Sequence, residues 1–528
     1  MRWSGAHGRL GRMPIERSTI TRRRNFIPRL RRRNLDGYEM VISAPEKATR
    51  DEKQNANRNV LIVALFAALG GMLYGYDTGI ISGALPKMSA QWGIDHTQQE
   101  ILTAAILAGA VVGALIGGSL SKSLGRRKTI FIIACVFAVG VVACALAVDA
   151  WMMTICRFFL GLAVGACSQI VPTYIAELAP PHRRGAMVTF FNLAIGVGIF
   201  LANLVSVVAG GTFEASDDWR WMIGIAVIPA IVLAVAMLQL PETPRWLIEN
   251  GTVGKARVVL RWMRPNRSAA VDETLKIWAI SQQENKESRG GWANLTQKWA
   301  RPALVAGLGI AAFTQLSGLE MMIYYSHTIL GSAAGFSTGL VIWSGLGIAA
   351  VYLIFTAVGE RLVDVVGRRQ LMLTLIPGAT LFLFGFGLLF VLTAHPNRYL
   401  TLALMLAYMA CNAAGLQAVG WLLGSELYPL SIRDRATSLH AVALWGSNLF
   451  LTLTALTTID TLGLGPAFIM YALFNLLSLV FVFFFVPETK GHSLEDIEQS
   501  LRQGTFLPRR GNIASQVDLP TSTAPAHP

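Results

Sequence analysis

Apolar stretches long enough to cross a bilayer recur from Val60 to Val486. Crossing the hydrocarbon takes about 20 residues of helix, and in lipid the backbone is satisfied only within helices or closed barrels. Reading the runs against their charged breaks gives twelve spans. The first six fall near 60–84, 99–121, 129–149, 151–177, 187–210 and 220–240. The second six fall near 302–330, 338–362, 370–393, 400–427, 437–459 and 465–486. The predicted class is an all-α membrane protein. Only 14% of residues are charged, against about 25% in a soluble chain. The five cysteines, Cys135, Cys144, Cys156, Cys167 and Cys411, lie inside apolar runs with no metal-ligand spacing and read as small core residues.

Lys and Arg set the orientation. They collect at Lys122/Arg126/Arg127/Lys128, Arg183/Arg184, Arg361/Arg368/Arg369 and Arg433/Arg435, and in both tails and the polar stretch 241–300. The alternate loops hold few. Both termini and the central loop are therefore expected in the cytoplasm. Residues 1–57 read as a basic, disordered arm, in which 1–39 hold eleven arginines against three acids. This suits an anionic leaflet; Met40 alternatively opens an ordinary short leader. Residues 58–240 and 301–487 are expected to form two six-helix bundles. A linker of short amphipathic helices (241–300) joins them, and 488–528 form a polar tail.

Within the first span, Asp77 sits among Gly75, Gly79 and Gly83. A carboxylate near the bilayer centre costs about 2.5–3.5 kcal/mol, and the glycines add packing freedom rather than helix stability. Such a stretch lines a pathway. The halves also repeat one another at nearly one offset. Gly125-Arg126-Arg127 is echoed by Gly367-Arg368-Arg369. Glu177-Leu178-Ala179-Pro180 with Arg184 is echoed by Glu426-Leu427-Tyr428-Pro429 with Arg433. Pro241-Glu242-Thr243 is echoed by Pro487-Glu488-Thr489. Duplicated parallel halves suit alternating access around a midplane site. The arginines Arg126, Arg127, Arg368 and Arg369 can reach Glu177 or Glu426, while Arg184, Arg433 and Asp364 can close the same networks. Together these residues form a cytoplasmic gate that latches helices in one state and releases them in the other.

With these motifs the chain resembles the sugar porter family of the major facilitator superfamily over about residues 58–495. Pro241-Glu242-Thr243-Pro244-Arg245-Trp246-Leu247 and Pro487-Glu488-Thr489-Lys490-Gly491 are the most specific matches. The resemblance implies the major facilitator fold, twelve helices in two pseudo-symmetric bundles. It also implies facilitated or proton-coupled uptake of small polyhydroxylated solutes. Asp77 matches the family's proton-carrying aspartate and Arg157 its partner. An arginine favours the charged carboxylate and burial opposes it, so moving the pair apart exchanges a proton. A static ion pair fixing helix registry is the alternative.

A sugar site needs amides for hydroxyls and aromatics for the ring's C–H face. The resemblance places Gln315, Glu320 and Tyr324 of the seventh span there, with Gln417 and Trp421 of the tenth, Trp445 and Asn448 of the eleventh, and Asn192 of the fifth. Several depart from the family pattern. Glu320 stands where Asn is usual, Asn192 replaces a Gln, and Gln417-Ala418 replaces Gly-Pro. Glu320 resembles the acidic position of polyol porters, which raises linear polyols and inositol against aldohexoses.

No phosphate loop or Ser/His or Cys/His pair supports an enzyme, and His182 and His440 read as loop and helix-surface residues. The expectation is a secondary transporter, a proton symporter taking up a monosaccharide or polyol. A passive facilitator or a non-transporting sugar receptor is the alternative. The proton is the coupling ion and no other cofactor is expected. The partners are the solute and the bilayer, not nucleic acid. The expected form is a monomer in the plasma (cell inner) membrane.

Overall fold

The computed structural model describes residues 49–180, 183–212, 217–287, 295–333, 335–393, 396–429, 432–492 and 494–506. The basic arm up to residue 48, His182 and the tail beyond 506 lie outside the described residues. Twelve helices are long and apolar enough to span a membrane, as expected. The first bundle comprises α1 (Arg50–Trp92), α2 (His96–Leu124), α3 (Arg126–Ala145), α4 (Ala150–Leu178), α5 (Arg184–Ala209) and α6 (Asp218–Gln239). The second comprises α7 (Arg301–Tyr324), α8 (Thr338–Val366), α9 (Arg368–Leu392), α10 (Arg398–Gly424), α11 (Arg435–Leu462) and α12 (Leu464–Phe485). Large apolar side chains such as Val139, Ile155, Leu381 and Phe450 remain exposed, as a lipid-facing surface requires.

Local chemistry starts these helices. Thr49 with Glu52 and Asp95 with Gln98 form capping boxes at α1 and α2, and Asp149 accepts the Met152 amide at α4. Small residues then bring helices together. A Cβ at Gly75 of α1 would lie 1.9 Å from the Ile195 carbonyl oxygen of α5, and one at Gly165 of α4 would lie 2.0 Å from that of Ala110 in α2. Only glycine permits such backbone contact. The bundles meet along two seams, α2 against α11 and α5 against α8.

Both halves build the same joint at the Arg-rich face. Glu242, just after α6, accepts the backbone N–H groups of Arg126 and Arg127 at 3.0 and 3.2 Å. Glu488, just after α12, accepts those of Arg368 and Arg369 at 2.9 and 3.0 Å. Each carboxylate thus caps the orphan amides, and the positive dipole end, of the third helix in its bundle. Gly125 and Gly367 make room, with φ of 95° and 104°. A Cβ at either would come within 2.6 Å of the capping carboxylate. The glycines therefore serve a cap as well as a turn.

Three helices, Pro244–Glu249, Val253–Met263 and Arg267–Glu287, follow α6 on this face. Arg264, buried between the last two, donates to the Leu178 carbonyl at 3.0 Å and pairs with Glu273. The linker is thereby pinned to the end of α4.

Candidate functional site

The seventh span is broken. Helix Arg301–Leu316 ends at Ser317, Gly318 turns with φ 89°, and a short helix Leu319–Tyr324 resumes. The break frees the Ser317 carbonyl, which accepts from the Tyr408 hydroxyl at 2.7 Å and from Asn475 Nδ2 at 2.9 Å. Its orphan acceptor is thus satisfied inside the bundle. Gln315 and Glu320 flank the break, both buried. In α10 a π-helical turn, Ala413–Gln417, carries Gln417. Such turns often mark functional positions.

At these irregular segments the described protein leaves Gln315 Oε1, Glu320 Oε2 and Gln417 Oε1 unpaired, and on α11 Asn448 Nδ2 is unpaired too. Buried polar groups are nearly always bonded, so these orphan atoms have hydrogen-bonding capacity left over for a ligand. Gln169 Nε2 of α4 adds a fifth. Trp445 lies on α11, three residues before Asn448. Its Nε1 donates to Ser168 Oγ at 3.3 Å, and its ring lies edge-on to Tyr74 at 5.2 Å and Trp421 at 6.1 Å. Tyr324 lies close to Thr78, within electrostatic reach of Glu320 on one side and of Asp77 and Arg157 on the other.

Asp77 and Arg157 are both buried and meet at 3.3 and 3.4 Å. Arg157 Nε also donates to the Leu102 carbonyl of α2 at 3.2 Å. That contact ties the guanidinium to α2 independently of the carboxylate.

At the Arg-rich face, Arg126 pairs with Glu177 at 3.0 Å. Arg368 grips Glu426 through two bonds of 3.0 and 2.8 Å and also reaches Asp364 at 3.2 Å. Arg127 and Arg369 use their side chains differently, donating to the Leu240 and Phe483 carbonyls at the ends of α6 and α12. Arg184 lies near Glu273 and Glu177, and Arg433 begins the helix that continues as α11.

Two expectations meet different partners. The Asn192 amide donates to Glu360 Oε1 of α8 at 2.7 Å, across the seam between bundles. His440 is buried rather than at the helix surface, placed between the Tyr428 hydroxyl and the Gly420 carbonyl. Sequence reasoning passed over Gln169, Glu360 and Glu100. At the opposite face Glu100 of α2 accepts the Thr457 backbone N–H and hydroxyl of α11, both at 2.7 Å. His96 pairs with Asp460 beside it. Charge inside an apolar run was the signal available for Glu360.

Comparison with known proteins adds the following. Residues 63–501 match the family described as "Sugar (and other) transporter". The chain is 36% identical over 445 residues to the D-xylose transporter of Levilactobacillus brevis, covering 84% of this chain and 96% of that one. It is 34% identical over 450 residues to the major myo-inositol transporter IolT of Bacillus subtilis, covering 84% and 94%. The solved structure of the proton:xylose symporter XylE bound to 6-bromo-6-deoxy-D-glucose aligns with TM-score 0.73 and 28% identity, over 84% of this chain and 99% of that one. XylE is from E. coli.

Proposed function

The chain belongs to the sugar transporter family of the major facilitator superfamily, and from that premise we propose that it is a proton symporter importing a monosaccharide or polyol. It is a multi-pass membrane transporter and not an enzyme. The carrying observation is the buried Asp77–Arg157 pair, one tyrosine away from the buried Glu320 carboxylate, with unpaired buried amide atoms on Gln315, Gln417 and Asn448. Arg157 at 3.3 Å favours the charged form of Asp77. When α1 and α4 shift and the pair lengthens, the carboxylate takes a proton from the open side. Re-forming the pair on the other side releases it.

Gln315, Gln417 and Asn448 then bond the hydroxyls, Trp421 and Trp445 pack on the ring or carbon chain, and Tyr324 links solute to Asp77. Glu320 selects vicinal hydroxyls, since one carboxylate accepts two at once. Proteins named for xylose and for myo-inositol stand among the relatives, and both solutes are within this reading. The Arg-rich face is cytoplasmic, with both termini, in the plasma membrane. Arg126–Glu177 and Arg368–Glu426 are its gate. A single chain carries both bundles and the whole site, so a monomer suffices.

Uptake into proteoliposomes under an imposed inward proton gradient tests this. Labelled hexoses, pentoses, inositol and linear polyols are each compared with and without a protonophore. Protonophore-sensitive accumulation of one solute is expected. Equilibration without accumulation makes the protein a facilitator and Asp77 structural. No movement of any solute favours a receptor.

A further inference from the structure

Glu360 is a further intramembrane carboxylate, one that the symport reading leaves idle, and its surroundings give it a task. It lies on α8 with Tyr352, Thr356 and Asp364. These four are spaced four residues apart and form one continuous ridge along the helix. Twelve residues of helix rise about 18 Å. The ridge begins at the central site, where Tyr352 lies beside Gln417 and within electrostatic reach of Glu320. It ends at Asp364, whose side chain is 76% exposed at the Arg-rich face. Tyr352 and Thr356 are each only 3% exposed. Hydroxyl, hydroxyl, carboxyl and carboxyl therefore follow one another along α8 from beside Gln417 and Glu320 to solvent.

The charge on Glu360 is poorly compensated. Around it stand Asn192 and Thr189 of α5, Asp364 on its own helix and Arg368 at the start of α9. The first two are neutral donors from the other bundle, and Asp364 has the same sign. The Arg368 guanidinium is engaged by Glu426 and Asp364. An ionised Glu360 thus depends on donors that sit across a seam, and seams are where alternating access moves parts. When α5 draws away, the carboxylate loses its charge-assisted bond from Asn192 and holds a proton instead. By linkage, proton binding then favours the separated state to the same extent.

We infer that Glu360 is a proton-relay residue, passing protons between the central cavity and the cytoplasm along the α8 ridge and gated by Asn192. The inference rests on the symport reading. In each passage a hydronium O–H bond breaks on the Tyr352 side as one O–H bond forms on the Glu360 carboxylate, and that bond then breaks to return the proton to water at the Asp364 end. The carboxylate that re-forms accepts the Asn192 amide again, with no other reactant consumed.

The experiment compares Glu360→Gln and Glu360→Asp with wild type in proteoliposomes. It measures net proton-driven uptake and solute exchange at equal concentrations across a range of internal pH. For Glu360→Gln the ratio of net uptake to exchange should fall by about tenfold or more, the scale of a lost proton-transfer group, and its dependence on internal pH should flatten. Glu360→Asp should restore both. A Glu360→Gln ratio and pH profile equal to wild type overturn the relay alone. Equal loss of exchange and net uptake in both variants also overturns it, because that marks a structural role. Absence of proton-driven uptake in wild type removes the symport reading and the relay with it.

Discussion

Substituting one oxygen at Asp77 separates coupling from binding. Asp77→Asn keeps the size and abolishes the charge that Arg157 holds. Uphill accumulation should be lost while counterflow exchange stays detectable; normal accumulation would refute the coupling role. Glu320→Gln keeps the shape but not the double acceptor. Competition among hexoses, inositol and linear polyols should shift by roughly tenfold, since a buried group left unpaired by the wrong solute costs about 1–3 kcal/mol. An unchanged ranking would make Glu320 structural. Asp77 and Glu320 stood out in the sequence because charge inside an apolar run announces itself, and Arg157 through the family resemblance. Asn192 was legible as a pathway amide but not as the partner of Glu360, because that bond joins distant spans and only the assembled seam brings them together. His440 misled for the same reason: no local pattern reveals that Tyr428 and Gly420 enclose it.

The helices and their breaks were unequally visible. Twelve spans followed from length and hydropathy, since lipid leaves the backbone few options. The break at Gly318 and the π turn before Gln417 did not, because a helix-breaking glycine in an apolar run looks like a packing glycine. The carboxylate caps were half visible: their motifs repeat, but what Glu242 and Glu488 bind had to be seen. Gly367→Ala would force a left-handed φ on a Cβ and push it to 2.6 Å from Glu488. It should lower stability by at least about 1–2 kcal/mol, read as an earlier thermal transition in detergent; an equal transition would argue against the cap. Glu242 adds a pH signature. Burial pushes its carboxyl up, against the amides of Thr243, Arg127 and Arg126 that pull it down. A carboxyl raised in the folded state binds its proton more tightly there than in the unfolded chain. Its contribution is therefore fully present at low pH and is lost as pH rises through the folded value. Melting of wild type should fall more steeply than that of Glu242→Gln as pH climbs from about 4 to about 7. Parallel curves would contradict this.

At the scale of the whole molecule, the two seams are tied by carboxylates toward opposite faces, Glu100 to Thr457 on one and Glu360 to Asn192 on the other. Opening the face opposite the arginines must break the Glu100 tie. Glu100→Ala should raise severalfold the rate at which an impermeant thiol reagent labels a cysteine introduced at Thr103, in a background without native cysteines; an unchanged rate would show that the tie does not limit opening. The broken seventh helix has a wider consequence. It lies in the second bundle with Gln315, Glu320, Gln417 and Asn448, whereas Asp77 and Arg157 lie wholly in the first. On the proposed reading, the recognition groups and the coupling pair are therefore separately heritable. On that reading a lineage can change its diet by altering α7, α10 and α11 while Asp77, Arg157 and Glu360 go untouched, and a hybrid carrying those three helices from a relative with a different solute should adopt the donor's diet and the recipient's drive.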